Sequence, residues 1–103
     1  MTLGLVRPTT DDDFTDVVLG AAGPVLVAFH AGASAPPYVD DLAYDAPWLT
    51  CVRLDADRWP RTPAAYRVLR LPTVLVFAGG EPVLTLDGGQ PLVTVRRLLD
   101  ALR

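Results

Sequence analysis

The first pair of residues that could do chemistry is His30 and Ser34, four positions apart. His30 is the only histidine of the chain, and a histidine near neutral pH can take the proton from a serine hydroxyl, as in hydrolases. The sequence shows no third group that would orient the histidine, and no oxyanion hole can be read from it. We therefore expect His30 to be a structural or surface-binding residue, with a serine–histidine hydrolase as the weaker alternative.

Cys51 is the only cysteine, so the chain cannot form an intramolecular disulfide, and no metal-binding spacing surrounds it. A lone cysteine inside a strand is most often a small buried hydrophobe, and we expect this role for Cys51, with a reactive thiol as the alternative. The three acids at positions 11–13 follow Thr10. A hydroxyl before a carboxylate-rich turn predicts a helix start rather than a metal site.

Composition limits the function classes. The chain has 103 residues, a fifth of them charged, and a net charge of -3. This length and composition predict one globular domain spanning residues 1–103. The negative charge argues against nucleic acid or an anionic membrane as partner. No secretory signal or membrane-spanning stretch is visible, so we expect a cytoplasmic protein without metal or cofactor.

Apolar runs and their breakers predict the elements that position these residues. Strands are predicted at 3–6, 25–29, 49–54, 73–77 and 83–86, and helices from Thr10 to Leu19, from Pro37 to Tyr44, from Ala64 to Leu69 and from Pro91 onward. The run 25–29 is apolar on both faces, which is typical of a central strand covered by helices on both sides. The order β-α-β-α-β-α-β-β-α predicts a three-layer α/β/α sandwich around a mixed sheet.

This order, together with particular segments, resembles the thioredoxin family over nearly the whole chain. The segments that carry the resemblance are 27–31, 54–57, 66–77 with the proline at position 72, the turn at 79–81, and Gly88. The resemblance implies a cis peptide before Pro72 and an active site after the strand that ends at Phe29. It also implies that the second helix, which begins at Pro37, is shorter than in typical members.

The chain departs from the family at the active site itself. The resemblance aligns Ser34 with the attacking cysteine and Pro37 with the resolving one, so the segment reads Ser34, Ala35, Pro36, Pro37. Ala28 stands where the family carries a buried acid. A serine hydroxyl and a proline cannot replace two thiols in disulfide exchange. These residues predict that the chain is not a dithiol–disulfide oxidoreductase.

The sequence-based hypothesis is therefore a redox-inactive, thioredoxin-like module that binds another protein or peptide, as a chaperone, adaptor or accessory subunit. Leu71 and Pro72 would offer a backbone edge to an extended peptide. The candidate binding residues are His30, Ser34, Trp59, Arg70, Leu71, Pro72 and Gly88. The alternatives are a small-molecule thiol enzyme that uses Ser34, and an assembly role that includes homodimerisation. The alternative for the arginines near Trp59 is that they form a solvated basic face that balances the acidic residues elsewhere in the chain and has no binding role.

Overall fold

Strand β2 (Val25–His30) forms the centre of the molecule, and all six of its residues are buried. The computed structural model describes residues 6–32, 38–87 and 91–102. Within them lie β1 (Arg7–Pro8), β3 (Thr50–Asp55), β4 (Thr73–Ala78) and β5 (Glu81–Asp87), a π-helical segment (Thr15–Leu19), and α1 (Tyr38–Asp45), α2 (Arg61–Ala65) and α3 (Leu92–Asp100). This order confirms the predicted α/β fold.

The five strands form one mixed sheet in the order β1-β3-β2-β4-β5. β1, β3 and β2 are parallel, whereas β4 runs antiparallel to β2 and β5 antiparallel to β4. The carboxyl ends of the three parallel strands therefore meet at one edge of the sheet. Since Thr73 pairs with Phe29, strand β4 begins at this same edge.

Two apolar clusters cover the two faces of the sheet, as the buried runs predicted. On one face, inward residues of β2 and β4 such as Leu26 and Val74 pack with α1 and α3. On the other face, Phe29 packs with Phe14, Tyr66 and Phe77, the last three with ring centroids 5.1–5.7 Å apart. Burying each such side chain stabilises the fold by roughly 1.5–3 kcal/mol.

The predicted helix start at Thr10 is confirmed, although the helix itself differs from the prediction. The Thr10 hydroxyl accepts the backbone N–H of Asp13 at 3.1 Å, and the Asp13 carboxylate accepts the N–H of Thr10 at 2.7 Å. This reciprocal pair satisfies amides that the first turn leaves free. The segment then widens into a π-helical turn, closed by the N–H of Gly20 donating to the carbonyl of Thr15 at 2.8 Å.

Two other elements differ from their predicted bounds. The first strand is predicted at 3–6, of which only Val6 is described and lies outside a strand. The strand β1 that the structure describes is Arg7–Pro8, which pairs with β3 at an edge position that tolerates the missing N–H of proline. Residues 3–5 lie outside the described part of the chain. The third helix was predicted from Ala64 to Leu69, but α2 spans Arg61–Ala65. It stops there because Arg67 adopts the left-handed backbone conformation (φ 55°).

The remaining elements lie within a few residues of their predicted bounds. Helix α1 has eight residues, and Pro37, its predicted start, lies outside the described residues. None of the helices in the described ranges combines the length and the apolar character that crossing a membrane requires.

Candidate functional site

The candidate site lies where strands β1, β3 and β2 end and β4 begins. The predicted site residues His30, Trp59, Arg70, Leu71 and Pro72 all belong to the described part of the chain. Ser34, Ala35, Pro36, Pro37 and Gly88 lie outside it, so their predicted roles remain predictions. Ligands of α/β proteins commonly bind at the carboxyl ends of parallel strands, which makes this edge the place to search for chemistry.

His30 ends β2 and is 5% exposed. Its carbonyl accepts the N–H of Ala56 at 2.8 Å, which fixes the strand end against the loop after β3. Its ring Nδ1 is buried and has no hydrogen-bond partner within the described structure. A buried polar atom without a partner costs free energy, so this ring nitrogen is an exception that a ligand could resolve.

His30 lines a pocket of about 220 Å³, and Trp59 forms part of the same wall. The lining residues come from all three parallel strands and the loops that follow: Pro8, Thr9, His30, Gly32, Arg53, Asp55, Arg58 and Trp59. Sequence reasoning singled out His30 and Trp59 but missed Arg53 and Asp55. Their positions at the end of β3 are a signal that could have revealed them, because parallel strand ends converge.

The charged residues of this pocket are held by local contacts. The Arg53 guanidinium donates to the carbonyl of Val6 at 2.6 Å. The Asp55 carboxylate accepts the N–H of Asp57 at 3.0 Å. The Arg58 guanidinium carbon lies 5.5 Å from the centroid of the Trp59 ring, within the range of a cation–π contact.

Arg70 and Leu71 do not line this pocket. The Leu71–Pro72 peptide is cis, as the resemblance implied. Leu71 is 41% exposed, and the Thr73 hydroxyl donates to the carbonyl of Arg70 at 2.6 Å. Arg70 lines a separate groove of about 380 Å³ between residues 66–70 and the β4–β5 hairpin. The structure thus brings His30 and Trp59 together and places Arg70 in a different cavity.

Cys51 is buried, as predicted. It is 3% exposed and belongs to the cluster that includes Val39 and Leu42 of α1. Burial, with a smaller contribution from the Asp40 carboxylate, raises the pKa of the thiol to about 12. Because the thiolate is the nucleophile, Cys51 is a poor nucleophile in the folded chain.

Two of the three N-terminal acids, Asp11 and Asp13, cap helix starts. Burial alone would raise the pKa of Asp11, but hydrogen bonds from Thr62 and Arg61 outweigh it and lower that pKa. Arg61, one of the arginines near Trp59, also forms ion pairs with Asp11 and Asp12, so its charge balances acids. In the described ranges, no group of three acidic, histidine or cysteine side chains is arranged to hold a metal ion.

Comparison with known proteins adds a second line of observation. A family model described as Thioredoxin matches residues 5–101. The thioredoxin of Streptomyces clavuligerus is 34% identical, over 91% of this chain and 92% of that protein. Thioredoxin M-type of Chlamydomonas reinhardtii and thioredoxin M2 of Arabidopsis thaliana, both chloroplastic, are 37% and 35% identical. The chain spans 65% and 54% of the length of these two proteins.

These relatives contradict the prediction of a redox-inactive binding module. That prediction inferred function from the thiols missing at Ser34 and Pro37, whereas the similarity extends over most of the chain to proteins named thioredoxins. The comparisons give no support to the alternative of a small-molecule enzyme that uses Ser34. The two missing thiols restrict the mechanism, but they do not by themselves define the function.

Proposed function

The chain belongs to the thioredoxin family, and on this basis we propose that it functions in thiol–disulfide redox reactions. The observation that carries the proposal is the similarity to the Streptomyces clavuligerus thioredoxin, which covers about nine-tenths of both proteins. The proposed substrate class is a protein disulfide.

The single cysteine determines the form that such a reaction can take. With Cys51 as its only thiol, the chain contributes one sulfur atom. The Cys51 thiolate attacks one sulfur of the substrate disulfide, forms a mixed disulfide and releases the other substrate sulfur as a thiolate. A low-molecular-weight thiol then attacks the mixed disulfide and releases the second substrate thiol, and another such thiol restores Cys51. In sum, one disulfide and two small thiols give two substrate thiols and one small-molecule disulfide.

Burial makes this one-thiol reaction slow. A pKa of about 12 leaves about one thiol in 10⁵ as thiolate at neutral pH. Moreover, a substrate reaches the 3%-exposed sulfur only when α1, which packs over this face of the sheet, moves away locally. The rate should therefore rise about tenfold for each pH unit while the protein stays folded.

The test is the reduction of a protein disulfide by a small thiol, with and without the chain. We expect disulfide reduction to be faster with the wild-type chain and the small thiol than with the small thiol alone. Cys51→Ala should abolish this increase in rate. Thr50→Ala, an exposed change one residue away, is the matched control and should leave the rate unchanged. A wild-type rate equal to that of the small thiol alone overturns the proposal, and a gain that survives Cys51→Ala overturns the one-thiol route.

For the compartment we propose the cytoplasm, a reducing environment in which a free thiol such as Cys51 persists. Fractionation of the native host with an antibody to the chain tests this, and recovery from an oxidising compartment would contradict it.

A further inference from the structure

The pocket at the carboxyl ends of β1, β3 and β2 has features of a ligand site that the redox proposal does not use. It is formed by residues distant in sequence, from Pro8 to Trp59, and it holds about 220 Å³. This volume is below the usual range of drug-sized ligand sites, so it suits a small ion or a short organic molecule. The pocket does not contain Cys51, which lies in the apolar cluster packed against α1.

The net charge of the residues that line the pocket indicates the charge of the ligand that it would bind. Two arginines, Arg53 and Arg58, and one aspartate, Asp55, line the pocket. The balance therefore favours an anion, and planar guanidinium groups match the oxygen atoms of carboxylates and phosphates.

The two arginines are also held in place before any ligand arrives. Arg53 is tethered to the carbonyl of Val6, and Arg58 lies over the Trp59 ring. A tethered guanidinium loses less conformational freedom on binding than a free one, which improves affinity. His30 supplies the third element, because it lines the same pocket and its buried Nδ1 lacks a hydrogen-bond partner in the described part of the chain.

We propose that this pocket binds a small oxyanion, a carboxylate or a phosphate group, between Arg53, Arg58 and His30. The guanidinium groups donate charge-assisted hydrogen bonds to the anion oxygens, and His30 donates through a ring N–H. Trp59 and Pro8 contact any apolar part of the ligand. This site stands on the fold and charges alone, so it does not depend on the redox function.

The test is an NMR titration of the folded chain with inorganic phosphate and, separately, with acetate, at constant ionic strength in sodium chloride. We expect saturable shifts at the backbone amides of His30, Arg53 and Arg58 and at the Trp59 indole. Saturation by phosphate alone assigns the site to phosphate groups, by acetate alone to carboxylates, and by both to oxyanions in general. Saturation by neither overturns the proposal.

Two exposed arginines provide the matched variants. Arg58→Gln removes one charge-assisted contact and should weaken binding about tenfold or more. Arg97→Gln removes the same charge from α3, away from the pocket, and should leave the affinity unchanged. Equal weakening by both variants means that the anion responds to net charge only, which overturns the proposal. Shifts that map to other residues also overturn it.

Discussion

Among individual residues, burial decides which reactive side chains can react. Cys51 and His30 are both nearly inaccessible, 3% and 5% exposed, but their surroundings differ. Apolar residues enclose Cys51 and favour its protonated thiol. His30 instead lies at the end of a strand, in a pocket that two arginines also line. The sequence shows that Cys51 is the only cysteine and His30 the only histidine. It does not reveal their surroundings, because Arg53 and Trp59, which line the same pocket as His30, belong to other elements.

The raised pKa of Cys51 makes the stability of the fold depend on alkaline pH. The thiol titrates near 9.0 when unfolded and near 12 when folded. Its stabilising contribution is fully present below pH 9, and above it the unfolded chain releases a proton that the folded chain retains. The free energy of unfolding should then fall by up to about 1.4 kcal/mol per pH unit. Urea denaturation of wild type and Cys51→Ala on either side of pH 9 measures this effect.

Because other groups also titrate in this range, the two proteins are compared by their change with pH rather than by their absolute stability. We expect wild type to lose about 1 kcal/mol more than Cys51→Ala over the first pH unit above 9. Parallel curves for the two proteins would show that burial does not raise this pKa.

Among the helices and strands, the buried central strands followed from the sequence, whereas the bounds of helix α2 did not. The continuous apolar runs at β2 and β4 require burial on both faces, which fixes them in a covered sheet. Helix α2 has no capping side chain of its own at its start. Asp11 supplies it, accepting the N–H groups of Arg61 at 3.0 Å and Thr62 at 2.8 Å. Because this cap comes from a residue fifty positions away, the local sequence around α2 does not predict it.

Removing this distant cap should destabilise the protein. Asp11→Ala leaves two amides at the start of α2 without their acceptor, and the expected loss is about 1 kcal/mol, the usual value of an N-cap. The neighbour Asp12 makes only an exposed ion pair with Arg61, so Asp12→Ala should cost less than about 0.5 kcal/mol. Thermal or urea denaturation of the three proteins at neutral pH measures both losses.

The same contact predicts an acid dependence. Since the pKa of Asp11 is lowered in the folded chain, its contribution is present above the unfolded value of 3.8 and is lost as pH falls below it. The difference in free energy of unfolding between wild type and Asp11→Ala should therefore become smaller as the pH falls. If this free-energy difference stayed constant with pH, the charge of the Asp11 carboxylate would not contribute to the cap.

At the scale of the whole molecule, one edge of the sheet gathers the functional features. The parallel arrangement of β1, β3 and β2 brings His30, Arg53 and Trp59 into one pocket, and the cis Leu71–Pro72 peptide precedes β4 at the same edge. The sequence predicted this edge through the family resemblance, together with His30 and Trp59. The pocket itself was missed, because His30 joins the charged residues of β3 only through the register of β3 against β2, which no local pattern shows.

Family membership and the missing thiols together lead to a gain-of-function prediction. Ser34→Cys combined with Pro37→Cys would give the chain two thiols with two residues between them, the spacing that lets one thiol resolve the mixed disulfide formed by the other. Thiols of ordinary pKa also carry far more thiolate at neutral pH than Cys51 does. Reduction of a protein disulfide should therefore accelerate at least about a hundredfold over wild type.

Two controls define the source of such a gain. Ser34→Cys alone should form a mixed disulfide with substrate without the full rate, since no second thiol of the chain resolves it. Cys51→Ala added to the double substitution should leave the rate intact, because the buried thiol takes no part. If the double variant folds and yet reduces disulfides no faster than wild type, restoring the thiols is not sufficient for redox activity. Positions beyond the two thiols, with Ala28 in place of a buried acid the first to test, would then have lost the ability to support dithiol exchange.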